Sequence, residues 1–336
     1  LTKKKMTKIF NPKRDGFNSR LLLYVKRRTG IDFEKVSDIK KGVWIATSAK
    51  ESWIIKEFPN PVKLKHQILL TKLLSEYGFN NTYQFHRVHE TGPCYFEGRF
   101  LGIVQYIEPS SKKPFYYNSA GNRKDALDLL CRYHSISLKC IPKLKDKLAT
   151  FNLLEKWEKR LESFKKNFDF IKGLSMYPYL EKYTLLGEGA LQIMQAHESY
   201  FSVEPHCVLH GDLAHHNFIR KVDGSLYMID FDLASIGPKQ IDILQYCNRI
   251  LPEVGWSPIR LFSEGEAISQ YRKDTPFLAA LLYPADIFRE WNYFIHYDKK
   301  RQKKHWNHLK DITFRQFEKR MGFSKWIINQ IEDVMK

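Results

Sequence analysis

Cysteine is scarce in this chain, and what there is shows no sign of pairing. The five cysteines (Cys94, Cys131, Cys140, Cys207 and Cys247) are odd in number, and no two stand at C-x-x-C spacing. That pattern argues against a disulfide framework and a cysteine zinc site, and it fits a reducing compartment. No run approaches the roughly 18 apolar residues of a membrane span. The basic stretch LTKKKMTKIFNPKR has no apolar segment behind it, so no secretory signal is expected. Internal repeats and low-complexity blocks are missing too. Acidic residues are outnumbered, 37 against 55 basic ones, for a formal net charge of +18. A surface this basic favours anionic partners such as nucleotides, phosphorylated molecules or acidic polymers, without choosing among them.

What is present is a globular composition. Hydrophobic residues make up 43% and aromatics 14% of 336 residues, too apolar for a disordered chain and long enough for two modest lobes. Residues 15–30 read as a short basic helix. VSDIKKGVWIATS (36–48) and ESWIIKEFPN (51–60) read as the two arms of a hairpin. PVKLKHQILLTKLLSEYGF (61–79) reads as a helix begun at Pro61 and stopped at Gly78, with Leu64, Ile68, Leu69 and Leu73 at helical spacing. A second strand pair is expected around 83–90 and 98–109. Such an order suits an antiparallel sheet with one packed helix, an α+β lobe. Beyond a polar connector at 109–124, helical patterns at 125–137, 152–168 and 185–201 dominate. Two short strands are expected at 206–211 and 225–231, and a mostly helical chain from Ile241 onward. The expected division is therefore an N-lobe over 1–108 and a C-lobe over 109–336.

The chemistry is concentrated in HCVLHGDLAHHNFIRKVDGSLYMIDFD, residues 206–232. A short apolar strand runs into His210-Gly211-Asp212, and Asn217 stands five residues later. An Asp223-Gly224 turn leads to a second apolar strand ending at Asp230. The expected product is a hairpin that presents Asp212, Asn217 and Asp230 at one sheet edge. Magnesium is a hard cation that takes oxygen ligands, one or two carboxylates plus substrate phosphates. Phosphoryl transfer also needs a separate carboxylate to orient the attacking hydroxyl. Asp212 suits that second role, and Asn217 and Asp230 suit the metal. The bland alternative is that these residues only cap turns.

These residues resemble a known signature. His210 to Asn217 and Ile229-Asp230-Phe231-Asp232 look like the motifs of the aminoglycoside phosphotransferase and choline kinase superfamily, which carries HGD where protein kinases carry HRD. The resemblance covers most of the chain and is most specific over 206–242. It implies a bilobal protein-kinase-like α+β fold, an antiparallel-sheet N-lobe with a mostly helical C-lobe, and an ATP- and Mg-dependent activity on a hydroxyl of a small molecule or saccharide. It also implies that Asp242 is a buried carboxylate bracing the catalytic loop, and that Lys56, after Trp53-Ile54-Ile55, steadies the nucleotide phosphates. Val104 to Glu108 resembles the hinge that holds adenine through backbone groups, which points to Gln105 and Ile107. Within the superfamily the chain looks most like the spore-coat kinase-like (CotS-type) group, implying cytoplasmic synthesis, deposition in the spore coat and other coat proteins as partners.

Two departures stand out. The helix position that usually holds a glutamate opposite the lysine is Gln67, which brings no charge to Lys56. The first hairpin carries Lys40-Lys41-Gly42 and no G-x-G-x-x-G loop. Gln67 and the basic surface keep a rival reading open, a structural coat scaffold with a kinase fold and little turnover. A third reading, an anionic-polymer module, rests on the basic and aromatic tract His296–Trp306; a solvated helix face with one aromatic stripe packed inward explains that tract more simply, and nucleic acid is not expected as a partner. Adjacent His215 and His216 cannot easily face one ion together, so zinc is not expected there.

Overall fold

The structure, a computed structural model, describes residues 12–335; the basic run at 1–11 lies outside them. The chain divides into two compact units, one holding residues up to 114 together with 219–229, the other holding 115–218 and the chain from 230 onward. No described helix is long and apolar enough to cross a membrane.

The N-terminal unit is built on five antiparallel strands: β1 (Lys35–Lys40), β2 (Val43–Thr47), β3 (Ser52–Phe58), β4 (Cys94–Phe96) and β5 (Arg99–Gln105), in the order β1-β2-β3-β5-β4. The stretch 36–48 was expected to be one arm of a hairpin; it is itself a hairpin. The chain reverses at Lys41-Gly42, where Gly42 adopts φ +74°, a region costly for residues with a Cβ. The expected strand at 83–90 is also corrected. Phe85 makes only an isolated bridge to Val104, and Arg87–Thr91 is a 3-10 helix whose Val88 N–H donates to the His86 side chain at 3.1 Å. The partner of β5 is instead β4, across a turn whose Glu97 and Gly98 both have positive φ.

Alternation along the strands gives the sheet two buried faces. Ile55, Leu101 and Ile103 turn toward helix α1 (Pro12–Thr29), whose Leu21 and Val25 share their core. Gly102 faces the other way, toward Phe58, Phe85 and Leu64 of helix α2 (Pro61–Glu76). Asn60 caps α2 by accepting from the Lys63 N–H at 2.8 Å, and Pro61 fills its first turn, where a missing N–H costs nothing. The ribbon of β7 (Phe218–Arg220) and β8 (Leu226–Met228) joins this unit over 219–229. Met228 N–H donates to the Asn81 carbonyl at 2.9 Å, and Ser110 N–H to the Arg220 carbonyl at 2.7 Å.

The C-terminal unit is helical, as the sequence indicates. Its helices include α3 (Ala120–Ser137), Leu153–Lys166, Tyr177–Ala196, Gln240–Ile250 and Ala285–Ile295. Large rings fill the centre: Tyr133, Tyr183, Tyr246, Phe288 and Trp291 are fully buried. Several of the polar atoms on these rings find partners inside the core. Tyr246 Oη donates to the Arg123 carbonyl at 2.6 Å, and Trp291 Nε1 donates to Thr313 Oγ1 at 3.0 Å. One small sheet survives here, β6 (His206–Leu209) antiparallel to β9 (Ser235–Pro238). The expected hairpin of 206–211 with 225–231 is therefore not formed, because β6 takes β9 as its partner and β8 takes β7. On the tract 296–306, helix Lys299–Lys310 turns Trp306 inward against Phe294, ring centroids 5.8 Å apart, and leaves its lysines exposed.

Candidate active site

β6 delivers the chain into His210-Gly211-Asp212 at a point held by one carboxylate. Asp242, on the first turn of helix Gln240–Ile250, is fully buried. Its Oδ2 accepts from the His210 N–H at 2.7 Å and from His134 Nε2 at 3.0 Å, and its Oδ1 accepts from the Gly211 N–H at 3.1 Å. Burial by itself raises the Asp242 pKa; the hydrogen bond and charge of His134, helped by the His210 N–H, outweigh burial and hold the carboxyl below its ordinary value. The resemblance pointed to Asp242; His134 was not anticipated. Its only signal was an unexplained histidine in the helical pattern of 125–137, and its partner lies 108 positions away.

Gly211 cannot be another residue here. Its φ is +79°, and a Cβ at this position would stand 2.5 Å from the Leu233 carbonyl oxygen. The segment after Asp230 thus packs against the loop before Asp212. His210, fully buried, continues that seam: its ring lies 5.0 Å from Phe231, which stacks on Tyr133 at 5.8 Å. Asp212 N–H donates to His210 Nδ1 at 3.3 Å, which places the ring proton on Nε2.

Asp212 and Asn217 are brought together. Asn217, buried, donates from Nδ2 to the Asp212 carbonyl at 2.9 Å, which commits the amide nitrogen and leaves Oδ1 as the atom that could hold a metal. Asp230 takes the left-handed conformation, φ 71° and ψ 69°, which aspartate tolerates better than most residues. The Asp212 carboxylate pairs with Arg249, Nη2 to Oδ1 at 2.9 Å, an arginine the sequence reading did not single out. Among the described residues no group of three or more His, Cys, Asp or Glu could hold an ion unaided. The donor types nevertheless suit magnesium, one carboxylate and one amide oxygen, an ion that takes its other ligands from phosphates and water.

The remaining expected site residues belong to the N-terminal unit. Lys56 lies on β3, paired with Gly102, and so projects on the α2 side of the sheet, with Nζ 5.5 Å from the centre of the Phe58 ring. Gln67 is buried on α2 and accepts from Tyr83 Oη at 3.1 Å, a hydrogen bond that suits a neutral side chain. Gln105 ends β5, its N–H donating to the Gln84 carbonyl at 2.8 Å, and Ile107 is buried two residues on.

Within the C-terminal unit a cavity of about 650 Å³ opens beside Gly211, Asp212 and Leu233. That is the size of a small-molecule site.

The model of the phosphotransferase enzyme family matches residues 43–272. This chain belongs to that family. It shares its protein-kinase-like α+β fold with solved structures of low sequence identity. An aminoglycoside phosphotransferase from Alicyclobacillus acidocaldarius subsp. acidocaldarius superposes with a TM-score of 0.64 at 13% identity, covering 98% of this chain and 99% of that one. A spectinomycin phosphotransferase in complex with ADP and spectinomycin gives 0.59 at 14% identity, over 95% and 98%. A macrolide 2′-phosphotransferase from Brachybacterium faecium gives 0.52 at 12%, over 89% and 97%. No curated protein is similar enough in sequence to count as a relative.

Proposed function

We propose that the chain transfers a phosphoryl group from ATP to a hydroxyl of a small molecule or saccharide. The observation that carries this reading is the shared anchoring of three residues. Asp242 fixes the loop before Asp212, Asn217 is tied to the Asp212 carbonyl, and the turn after Asp230 packs on Gly211. A scaffold has no chemical need for all three.

In this reading Asp212 accepts a hydrogen bond from the acceptor hydroxyl and aims its oxygen at the phosphorus. Arg249 holds the Asp212 carboxylate in one rotamer through their ion pair. Asn217, through Oδ1, and Asp230, through its carboxylate, would hold magnesium, which supplies charge neutralisation at the phosphates. Lys56 would contact the phosphates, and the backbone at Gln105 and Ile107 would hold adenine. The ADP-bound spectinomycin phosphotransferase supports the nucleotide part. The chain's own contribution is positioning and preset charge. Gln67 is neutral where a glutamate is usual, and a modest turnover is expected from that departure. Association with the spore coat and its proteins is the finer part of the proposal; it is carried by the likeness to CotS-type proteins and is tested by following a tagged chain through sporulation in an endospore-forming host.

The activity is tested by acceptor-dependent ADP release from ATP over a panel of hydroxyl compounds, with Asp212→Asn alongside. Acceptor-dependent release that falls by about two orders of magnitude or more in Asp212→Asn supports the assignment. Equal release by both proteins would remove Asp212 from the chemistry. Nucleotide binding without release on any acceptor would favour the scaffold reading.

A further inference from the structure

The cavity beside Asp212 has a charge pattern that bears on the acceptor. Its lining carries four carboxylates: Asp212, Asp286, Glu290 and Asp311. Each is already engaged. Asp212 pairs with Arg249 at 2.9 Å, Asp286 with Arg320 at 2.6 Å and Glu290 with Arg289 at 2.9 Å, while Asp311 accepts from Gln316 Nε2 at 2.8 Å. Two further cations of the lining, Lys156 and Arg160, have no carboxylate within ion-pair distance among the described residues. Lys156 Nζ sits 4.6 Å from the Phe151 ring centre, and Arg160 Nη1 donates to the Ala285 carbonyl at 3.1 Å. Neither contact neutralises a charge.

The two cations are also close to each other and to the chemistry. Burial lowers the Lys156 pKa, Arg160 and Arg289 lower it further, and Asp212 offsets them in part. Burial is likewise the main cause lowering the Arg160 pKa. Cations crowded in a partly enclosed space are relieved by an anion that enters it. The same cavity offers aromatic faces. Tyr293, more than half exposed, and Trp157, buried and stacked on Tyr283 at 4.3 Å, both line it. A polycationic aminoglycoside would meet Lys156 and Arg160 with like charge and find the carboxylates occupied.

The geometry points to an anionic acceptor, a polyhydroxy compound bearing a carboxylate or phosphate that Lys156 and Arg160 hold while its hydroxyl faces Asp212. This rests on the phosphotransferase reading above. It narrows the acceptor from any hydroxyl compound to an acidic sugar or sugar phosphate.

Calorimetry on the full chain tests it with four probes: glucose, glucuronate, a hexose phosphate and kanamycin. The expected order puts glucuronate or the hexose phosphate at least roughly tenfold tighter than glucose, with kanamycin weakest, and with an affinity that falls as salt is raised. The better of the two anions shows whether carboxylate or phosphate is the natural group. Lys156→Gln should remove most of that preference, bringing the affinity for the anions down toward that for glucose. Lys156→Glu should reverse the preference toward kanamycin, and melting curves of both variants that match wild type show that the fold is kept. Glucose binding as well as the anions, kanamycin binding best, or no binding of any probe at millimolar concentration each overturns the proposal. ATP–magnesium thermal shifts on the same samples separate this outcome from failure of the kinase reading, since the cavity can bind an anion without nucleotide.

Discussion

Replacing Asp242 by asparagine is the sharpest probe of how the site is held. The carboxylate accepts three hydrogen bonds, two at Oδ2 and one at Oδ1, in a place closed to water. An asparagine has one acceptor oxygen. In its better orientation the oxygen keeps His210 N–H and His134, and the amide NH2 is pushed against the Gly211 N–H, donor against donor. Leaving one buried N–H unpaired costs about 1–3 kcal/mol, and losing the charge from the other two bonds adds about 1 kcal/mol. The sum is about 2–4 kcal/mol, or on the order of 5–15 °C in melting temperature for a unit of this size. The sign with pH follows from the lowered Asp242 pKa. A carboxyl held below its unfolded value contributes stability that is complete above about pH 4 and is lost as pH falls through the folded value. Differential scanning calorimetry of both proteins should show the widest gap near neutral pH and a narrowing gap below about pH 4. A melting difference under about 2 °C at neutral pH, or a gap that stays constant into acid, would refute the reasoning.

Other expectations follow from the same contacts. Gly211→Ala forces a Cβ to within 2.5 Å of the Leu233 carbonyl at φ +79°, so it should cost at least about 2 kcal/mol, and turnover should fall further than melting temperature because Asp212 and the turn after Asp230 move apart. Calorimetry beside an activity assay checks both parts. Arg249→Gln breaks a partly exposed pair with Asp212, so stability should change by under about 1 kcal/mol while kcat falls roughly tenfold with KM for ATP unchanged. A change in KM alone would place Arg249 outside the positioning of Asp212.

The centre of the candidate site was legible because its residues are close in sequence. Asp212, Asn217 and Asp230 fall within nineteen positions, and their types and order carry the chemistry without any tertiary information. Lys56 drew attention from the apolar run before it, and the strand carries on past it to Phe58. What escaped were partners supplied by distant elements. His134 reaches Asp242 from α3, Arg249 reaches Asp212 from the helix that follows β9, and the Lys156 and Arg160 pair comes from a helix whose sequence reads as an ordinary amphipathic one. The fold was legible in its strand and helix composition and less so in its pairing. Ser235–Pro238 carries few strand-forming residues, yet it completes β6, so the expected hairpin partner of β6 was displaced. The run 83–90 alternates as a strand would, but a side-chain cap at His86 and a 3-10 turn use its backbone groups locally. Neither competition is visible until the neighbours are in place.

The central claim is that Asp212, Asn217 and Asp230 form a phosphoryl-transfer centre. It is tested most directly by ATP binding to the purified chain, with and without magnesium, beside Asp230→Ala. Magnesium should strengthen binding by at least roughly tenfold in the wild type, and Asp230→Ala should abolish that dependence. Nucleotide binding that ignores magnesium and Asp230 alike, or no nucleotide binding at all, would contradict it.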